Sequence, residues 1–135
     1  MYFRAVFFYP LGNRLNREAM EEAAGLLIGE RDFKSFCGNR NMKKSTVRQL
    51  RRIDIRPVWR GKALEIDYEG NGFLQQMVRI LTGTLIEVGL GKRSAGEMTQ
   101  ILEAKNRQAA GVTAPAQGLC LMQVMYEKDG SMKEI

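Results

Sequence analysis

No histidine occurs in this chain, and its two cysteines, Cys37 and Cys120, stand far apart. A zinc site, a thiol–imidazole pair and a Ser–His–Asp triad all draw on imidazole or on clustered thiols, so the sequence argues against each of them. Both cysteines read as buried free thiols. The chemistry that is left belongs to cations. There are 21 Lys and Arg against 15 Asp and Glu, a formal charge of +6. Nine of the cations (Arg40, Lys43, Lys44, Arg48, Arg51, Arg52, Arg56, Arg60 and Lys62) crowd residues 38–62, with only Asp54 to oppose them. Such a distribution suits a polyanionic partner such as nucleic acid. A second candidate is Arg79, the single cation in residues 70–89, with Gly83 one turn beyond it.

The element that must position Arg79 is a helix that opens after Gly70-Asn71-Gly72 and closes on Gly89. Phe73, Leu74, Met77, Ile80, Leu81, Leu85 and Val88 fall on one broad face, the expected core side. Gln75, Arg79, Thr82, Gly83 and Ile86 form the opposite strip. Glycine inside a helix costs about 1 kcal/mol relative to alanine. Gly83 therefore points either to close approach of another chain or domain or to a tolerated glycine on a wet face.

The basic segment lies on alternating sequence. Residues 46–55 read as a strand with Val47, Ile53 and Ile55 on one face and Arg48, Arg52, Asp54 and Arg56 on the other. After a turn at Arg60-Gly61, residues 62–68 alternate again, with Leu64, Ile66 and Tyr68 inward and Glu65, Asp67 and Glu69 outward. If Trp59 pairs with Lys62, Arg56 faces Glu65 and Arg52 faces Glu69, since each pair keeps the same register. Part of the cationic stripe is then cross-strand pairing. Arg40, Lys43, Lys44, Arg48 and Arg51 remain as the freer charges, expected to meet phosphates rather than bases.

Around these lie a strand over residues 2–9, aromatic and β-branched, and a helix capped by Asn16 with Glu18, Glu21 and Glu22 in its early turns. Met20, Ala23, Ala24, Leu27 and Ile28 give that helix its core face. Phe33 and Phe36 pin the loop that follows. Ser94 opens a further helix over 95–105, packed through Met98, Ile101 and Leu102. Residues 106–118 form a loop of small residues to which a ligand or backbone can come close. A last strand spans 119–126, and the charged tail, 128–135, is expected to fray.

The order strand, helix, strand, strand, helix, added helix, strand predicts a ferredoxin-like α+β fold: an antiparallel β-α-β-β-α-β sheet covered by helices on one face. A chain of 135 residues makes one domain, here 1–127, with a core that needs no staples. No run is long and apolar enough for a membrane span, and no signal-peptide layout opens the chain, so a cytoplasmic location and no membrane partner are expected. The open sheet face is the one that RNA-binding relatives of this plan use for stacking aromatics. Their basic-Gly-aromatic-Gly-aromatic strand motif is absent. The abrupt apolar strand at residue 2 suggests a domain cut from something longer.

Three stretches in order carry a resemblance to a known family. They are residues 20–36, from Met20-Glu21-Glu22-Ala23-Ala24 to Asp32-Phe33-Lys34-Ser35-Phe36; Asn71-Gly72-Phe73-Leu74-Gln75-Gln76-Met77-Val78-Arg79 through Glu87-Val88-Gly89-Leu90-Gly91-Lys92; and Ala114-Pro115-Ala116-Gln117-Gly118-Leu119-Cys120-Leu121. Together, over residues 20–126, they resemble the C-terminal half of TruA-type tRNA pseudouridine synthases.

The resemblance implies a cofactor-free isomerase, acting on uridine in the anticodon stem-loop of a tRNA held across a homodimer. It implies that Arg79 pairs with the nucleophilic aspartate. It also implies that Ile80 and Leu81 pack around the same site, that Asn71, Phe73 and Met77 lie on the approach, and that the loop with Ala114, Pro115 and Leu119 lines the wall. A guanidinium is suited to hold a carboxylate bidentately and ionised. The family's aspartate, however, lies in an Arg-x-Asp-x-Gly-Val-His-Ala motif that this chain lacks. Asp32, Asp54, Asp67 and Asp129 stand in other contexts, and neither Tyr2 nor Tyr9 matches the family's base-stacking tyrosine. The expected partner is thus a missing N-terminal half, and the chain alone is expected to be inactive. A stand-alone RNA-binding or dimerisation module, or a structural domain without RNA, are the competing readings.

Overall fold

The register of the central hairpin follows the charges. In the computed structural model, which describes residues 2–10, 15–126 and 132–134, strand β3 (Val47–Val58) pairs antiparallel with β4 (Ala63–Gly70), with Val58 opposite Ala63, Arg56 opposite Glu65 and Arg52 opposite Glu69. That is the expected register, but the connection is longer than a two-residue turn. Residues 59–62 leave the strands, with Trp59 and Arg60 at φ 52° and 56° and Gly61 at 81°. The phase also breaks within β3. The register shifts between Leu50 and Arg52, so Leu50 is fully buried while Val47 is 40% exposed, a correction to the expected inward Val47.

Strand β1 (Tyr2–Pro10) pairs antiparallel with β4 on one side and with β5 (Leu119–Tyr126) on the other. The described sheet has the order β2-β3-β4-β1-β5-β6. Its middle, β3-β4-β1-β5, is the ferredoxin-like core, and two short strands extend it. β2 (Gly29–Asp32) adds to the edge of β3, and β6 (Met132–Glu134) pairs with β5 within the tail expected to fray. β2 has little strand propensity. It forms because the bare β3 edge offers hydrogen bonds to a chain already passing it.

Helices α1 (Arg17–Leu27), α2 (Met77–Gly89) and α3 (Glu97–Ala104) cover one sheet face. Asn16 caps α1, its Oδ1 accepting from Ala19 N at 3.1 Å. Ser94, expected to open α3, does not cap it: the N-cap is Gly96, and Ser94 precedes the helix with its N and Oγ donating to the Glu97 carboxylate at 2.6 and 3.3 Å. Met20, Leu27, Phe33, Phe36, Leu50, Ile66, Met77, Ile80, Leu81 and Leu85, all fully buried, form the core between helices and sheet. Each such side chain contributes roughly 1.5–3 kcal/mol through burial. Tyr68 lies among them, its hydroxyl 2.7 Å from Thr82 Oγ1, and burial pushes its ionisation well above the ordinary tyrosine value. Cys37 is buried as expected, but Cys120 is exposed, because β5 pairs it with Val6 on the sheet face away from the helices.

That second sheet face carries the outward carboxylates read from alternation, and two of them are buried beneath arginines. Asp67 and Glu69 are 1% and 5% exposed. Arg4 donates to both Asp67 oxygens, at 2.7–3.1 Å, and Arg52 reaches Asp67 and Glu69 at 3.7 and 3.8 Å. Arg56 bonds Glu65, and Arg51 lies 3.8 Å from Glu69 and over the Tyr2 ring. The guanidiniums cover the carboxylates. The bonds to Asp67 hold Arg4 above its ordinary value; Arg52, opposed first by burial, is raised too by its bonds to Asp54 and the fields of Asp67 and Glu69.

Candidate functional site

A cleft of about 920 Å³ opens where the start of β1, the start of β3, the start of β5 and the first turn of α2 converge. Its floor begins with residues 71–76, of which the sequence assigned 73–76 to the helix. They are extended and turn-like instead, and α2 starts only at Met77, after Gln76 at φ 60°. Tertiary bonds fix this segment. Asn71 N donates to Gln49 O and Asn71 Oδ1 accepts from Gln49 N, at 3.0 and 2.9 Å, which ties the segment to β3. Gln75 O accepts from Gly38 N at 2.8 Å, and Leu74 N donates to Met77 Sδ at 3.4 Å. The unwound stretch places Phe73, Gln75 and Gln76 on the cleft wall.

Arg79 sits in the first turn of α2, half-buried, on that wall. Its Nε donates to Ala114 O at 2.8 Å and its own carbonyl accepts from Ala114 N at 2.9 Å. This two-way contact fixes the guanidinium plane, and among the described residues the terminal nitrogens make no hydrogen bond. Among the described residues, no carboxylate forms an ion pair with Arg79.

The strip that carries Arg79 was expected to be exposed or to await another domain. It is covered by the chain itself. Thr82 is fully buried and Ile86 6% exposed, and a Cβ on Gly83 would lie 1.8 Å from Val112 O. Segment 109–114 runs along α2. Gly111 N donates to Thr84 Oγ1 at 2.9 Å, and Arg93 links Glu87 to Ala109 O. Gly83 answers to a close approach, as its cost suggested, and the approaching backbone is the chain's own.

The predicted site residues divide into groups. Asn71, Phe73, Met77, Arg79 and Leu119 meet at the cleft, joined by Arg48. Ala114 touches Arg79 from behind, while Pro115 is exposed beyond it. Ile80 and Leu81 are not among the residues that line the cleft: both are fully buried on the core side of α2, since the residues after Arg79 turn toward the sheet. Of the basic residues, Arg40, Lys43 and Lys44 are exposed on segment 37–46. Arg48 donates to Ser45 O and Val47 O at the cleft mouth. Arg51 is committed to Tyr2 and Glu69 on the far sheet face, which removes it from the freer charges.

Sequence reasoning passed over Phe3 and Arg4, which also line the cleft. The signal for Arg4 was available as a lone cation inside an aromatic strand. Its buried partner Asp67 was not visible without the fold.

Comparison with known proteins shows the family of the chain. A family model described as tRNA pseudouridine synthase matches residues 23–127. Curated relatives named tRNA pseudouridine synthase A include one from Geobacter sp. (strain M21), 45% identical over 87% of this chain and 47% of its own length. One from Bacillus pumilus is 47% identical over 84% of this chain and 45% of its own, and one from Bacillus subtilis 43% identical over 93% and 50%. The chain thus spans about half the length of the curated relatives it matches.

Proposed function

The chain belongs to the tRNA pseudouridine synthase family, and we propose on that premise that it supplies the arginine side of an active site converting uridine to pseudouridine in the anticodon stem-loop of tRNA. The observation that carries this reading is Arg79, anchored through Nε to Ala114 O with its terminal nitrogens free of any described carboxylate. An aspartate from outside these 135 residues completes the fork. Held bidentately in a partly desolvated cleft, it stays ionised at neutral pH and aligned for attack.

In the reaction that aspartate displaces N1 from the ribose, the uracil turns, C5 displaces the aspartate from the ribose, and N1 takes up a proton as C5 gives one up. No cofactor takes part. The uridine reaches the aspartate only once it has left its stack, so the cleft has to receive a flipped base. Phe3, Phe73, Met77 and Leu119 offer it apolar surface. Arg40, Lys43 and Lys44 meet the phosphates, with Arg48 at the mouth, while a homodimer holds the tRNA in the cytoplasm. Among the described residues, no helix is long and apolar enough to cross a membrane.

The test is release of tritium from C5-labelled uridine in tRNA. The 135-residue chain alone is expected to release none, and adding the aspartate-bearing half of a relative is expected to start release. Turnover by the chain alone would refute the assignment. Arg79→Lys separates this reading from that of a binding module without catalysis. It should abolish tritium release in the completed enzyme, whereas a phosphate contact would lose only some affinity and salt dependence.

A further inference from the structure

The hairpin tip at residues 59–62 is built at a cost that the turn does not require. Trp59 and Arg60 both adopt left-handed backbone, at φ 52° and 56°. Gly61 N bonds Val58 O and Lys62 N bonds Trp59 O, each at 3.1 Å. Asn or Gly makes such a turn without strain, whereas each bulky L-residue there costs about 1–2 kcal/mol. Strain of this kind points to use of the side chains that it displays.

Those side chains form a defined surface. Trp59, the chain's only tryptophan, is 61% exposed, and one face of its indole stacks on Phe8, centroids 5.1 Å apart and planes 22° apart. Among the described residues, no second ring lies on the opposite face. Arg60 and Lys62 flank it, both exposed and without an ion pair among the described residues. β4 runs from Ala63 at the tip to Gly70 beside the cleft. At about 3.3 Å per residue, the tip stands roughly 25 Å from the cleft. A single nucleotide cannot touch both; a folded RNA can.

We propose that this tip is a second RNA contact, in which an unpaired base stacks on the outer face of Trp59 and adjacent phosphates meet Arg60 and Lys62. The proposal rests on the tRNA reading above. A base-stacking platform with flanking cations is indifferent to base identity, so the tip fixes where the RNA lies rather than which uridine enters the cleft.

Because Trp59 is the only indole, its emission reports on the tip directly. The 135-residue chain is titrated with tRNA, following emission and retention of labelled tRNA together over a salt series. Quenching is expected to track retention. Trp59→Leu should weaken binding about five- to 150-fold, the effect of losing one base–aromatic stack, and Trp59→Tyr should restore most of it. Arg60→Gly with Lys62→Ser should flatten the dependence of log K on log salt by about 1–2. Circular dichroism confirms that the variants keep the fold.

Retention of tRNA with unchanged emission and unaltered variants overturns the inference and leaves the cleft reading intact. No retention by the wild-type chain even at low salt overturns the tRNA reading itself. Emission that changes with protein concentration in the absence of RNA shows the tip covered by a second copy, which also overturns the inference.

Discussion

Gly83→Ala tests whether the contact behind Arg79 is as close as its geometry states. In an ordinary helix the change gains about 1 kcal/mol. Here the new Cβ would lie 1.8 Å from Val112 O, 2.8 Å from Val112 C and 3.4 Å from Ala114 N, all backbone atoms that no side-chain rotation can move. Carbon makes ordinary contacts at about 3.5 Å or more, so the loop must retreat by more than an ångström. That retreat draws on three hydrogen bonds: Ala114 N to Arg79 O, Arg79 Nε to Ala114 O and Gly111 N to Thr84 Oγ1. At about 1 kcal/mol each, their loss outweighs the helix gain by about 2 kcal/mol. Gly25→Ala is the control, since Gly25 lies in α1 with nothing within 4 Å of the added methyl. Thermal unfolding followed by circular dichroism should show Tm falling by about 6–12 °C for Gly83→Ala and rising by about 3–6 °C for Gly25→Ala. Urea titration with an unchanged m-value should give the same signs. A Gly83→Ala protein as stable as Gly25→Ala would refute the account of the strip, and with it the fixing of Arg79 by segment 109–114.

Three further outcomes follow from other parts of the molecule. Tyr68 has a folded-state ionisation above its ordinary value of 10.0, so its contribution to stability is complete below about pH 10 and is lost as pH rises toward the folded value. Tyr68→Phe should remove part of the alkaline loss of stability seen in urea titrations between pH 9 and about 11, while costing about 1 kcal/mol at neutral pH. Asp67→Asn leaves the guanidinium of Arg4 beside a neutral, buried amide and should cost about 2–4 kcal/mol, whereas Asp54→Asn at the exposed edge should stay within about 0.5 kcal/mol. Equal effects in urea titration would show that burial of Asp67 has no weight. Lys43→Glu with Lys44→Glu should weaken tRNA binding broadly and lower its salt dependence without changing which uridine is modified; a shift of target would contradict a phosphate role.

The hairpin register was legible in the sequence because two independent signals agree there. Alternation sets which residues share a face, and the pairs Arg56–Glu65 and Arg52–Glu69 set which residues oppose, leaving one solution. The same alternation failed at Val47 because a bulge inserts one residue, and nothing in the side chains of 50–52 announces it. The start of α2 was misplaced for a related reason. Phe73, Leu74, Gln75 and Gln76 suit a helix by composition, and only Gly38 N on Gln75 O and the Asn71–Gln49 pair, both distant in sequence, hold them out of it. Tertiary bonds of that kind override local propensity.

The covered strip on α2 is a different case. Gly83 stated that something comes close, and the small residues of 106–118 stated that this segment could come close. Each half of the contact was readable alone, but their pairing was not, because a helical wheel gives a direction and no neighbour. The pairing bears on the chemistry. On the proposed function, Ala114 O at Nε leaves the two terminal nitrogens of Arg79 as the fork, so that a carboxylate would approach along a single edge of the guanidinium. An arginine free at all three nitrogens accepts a carboxylate from two edges and orients it less well. The loop of small residues, expected to line the site, thus acts from behind it, by holding the arginine in place.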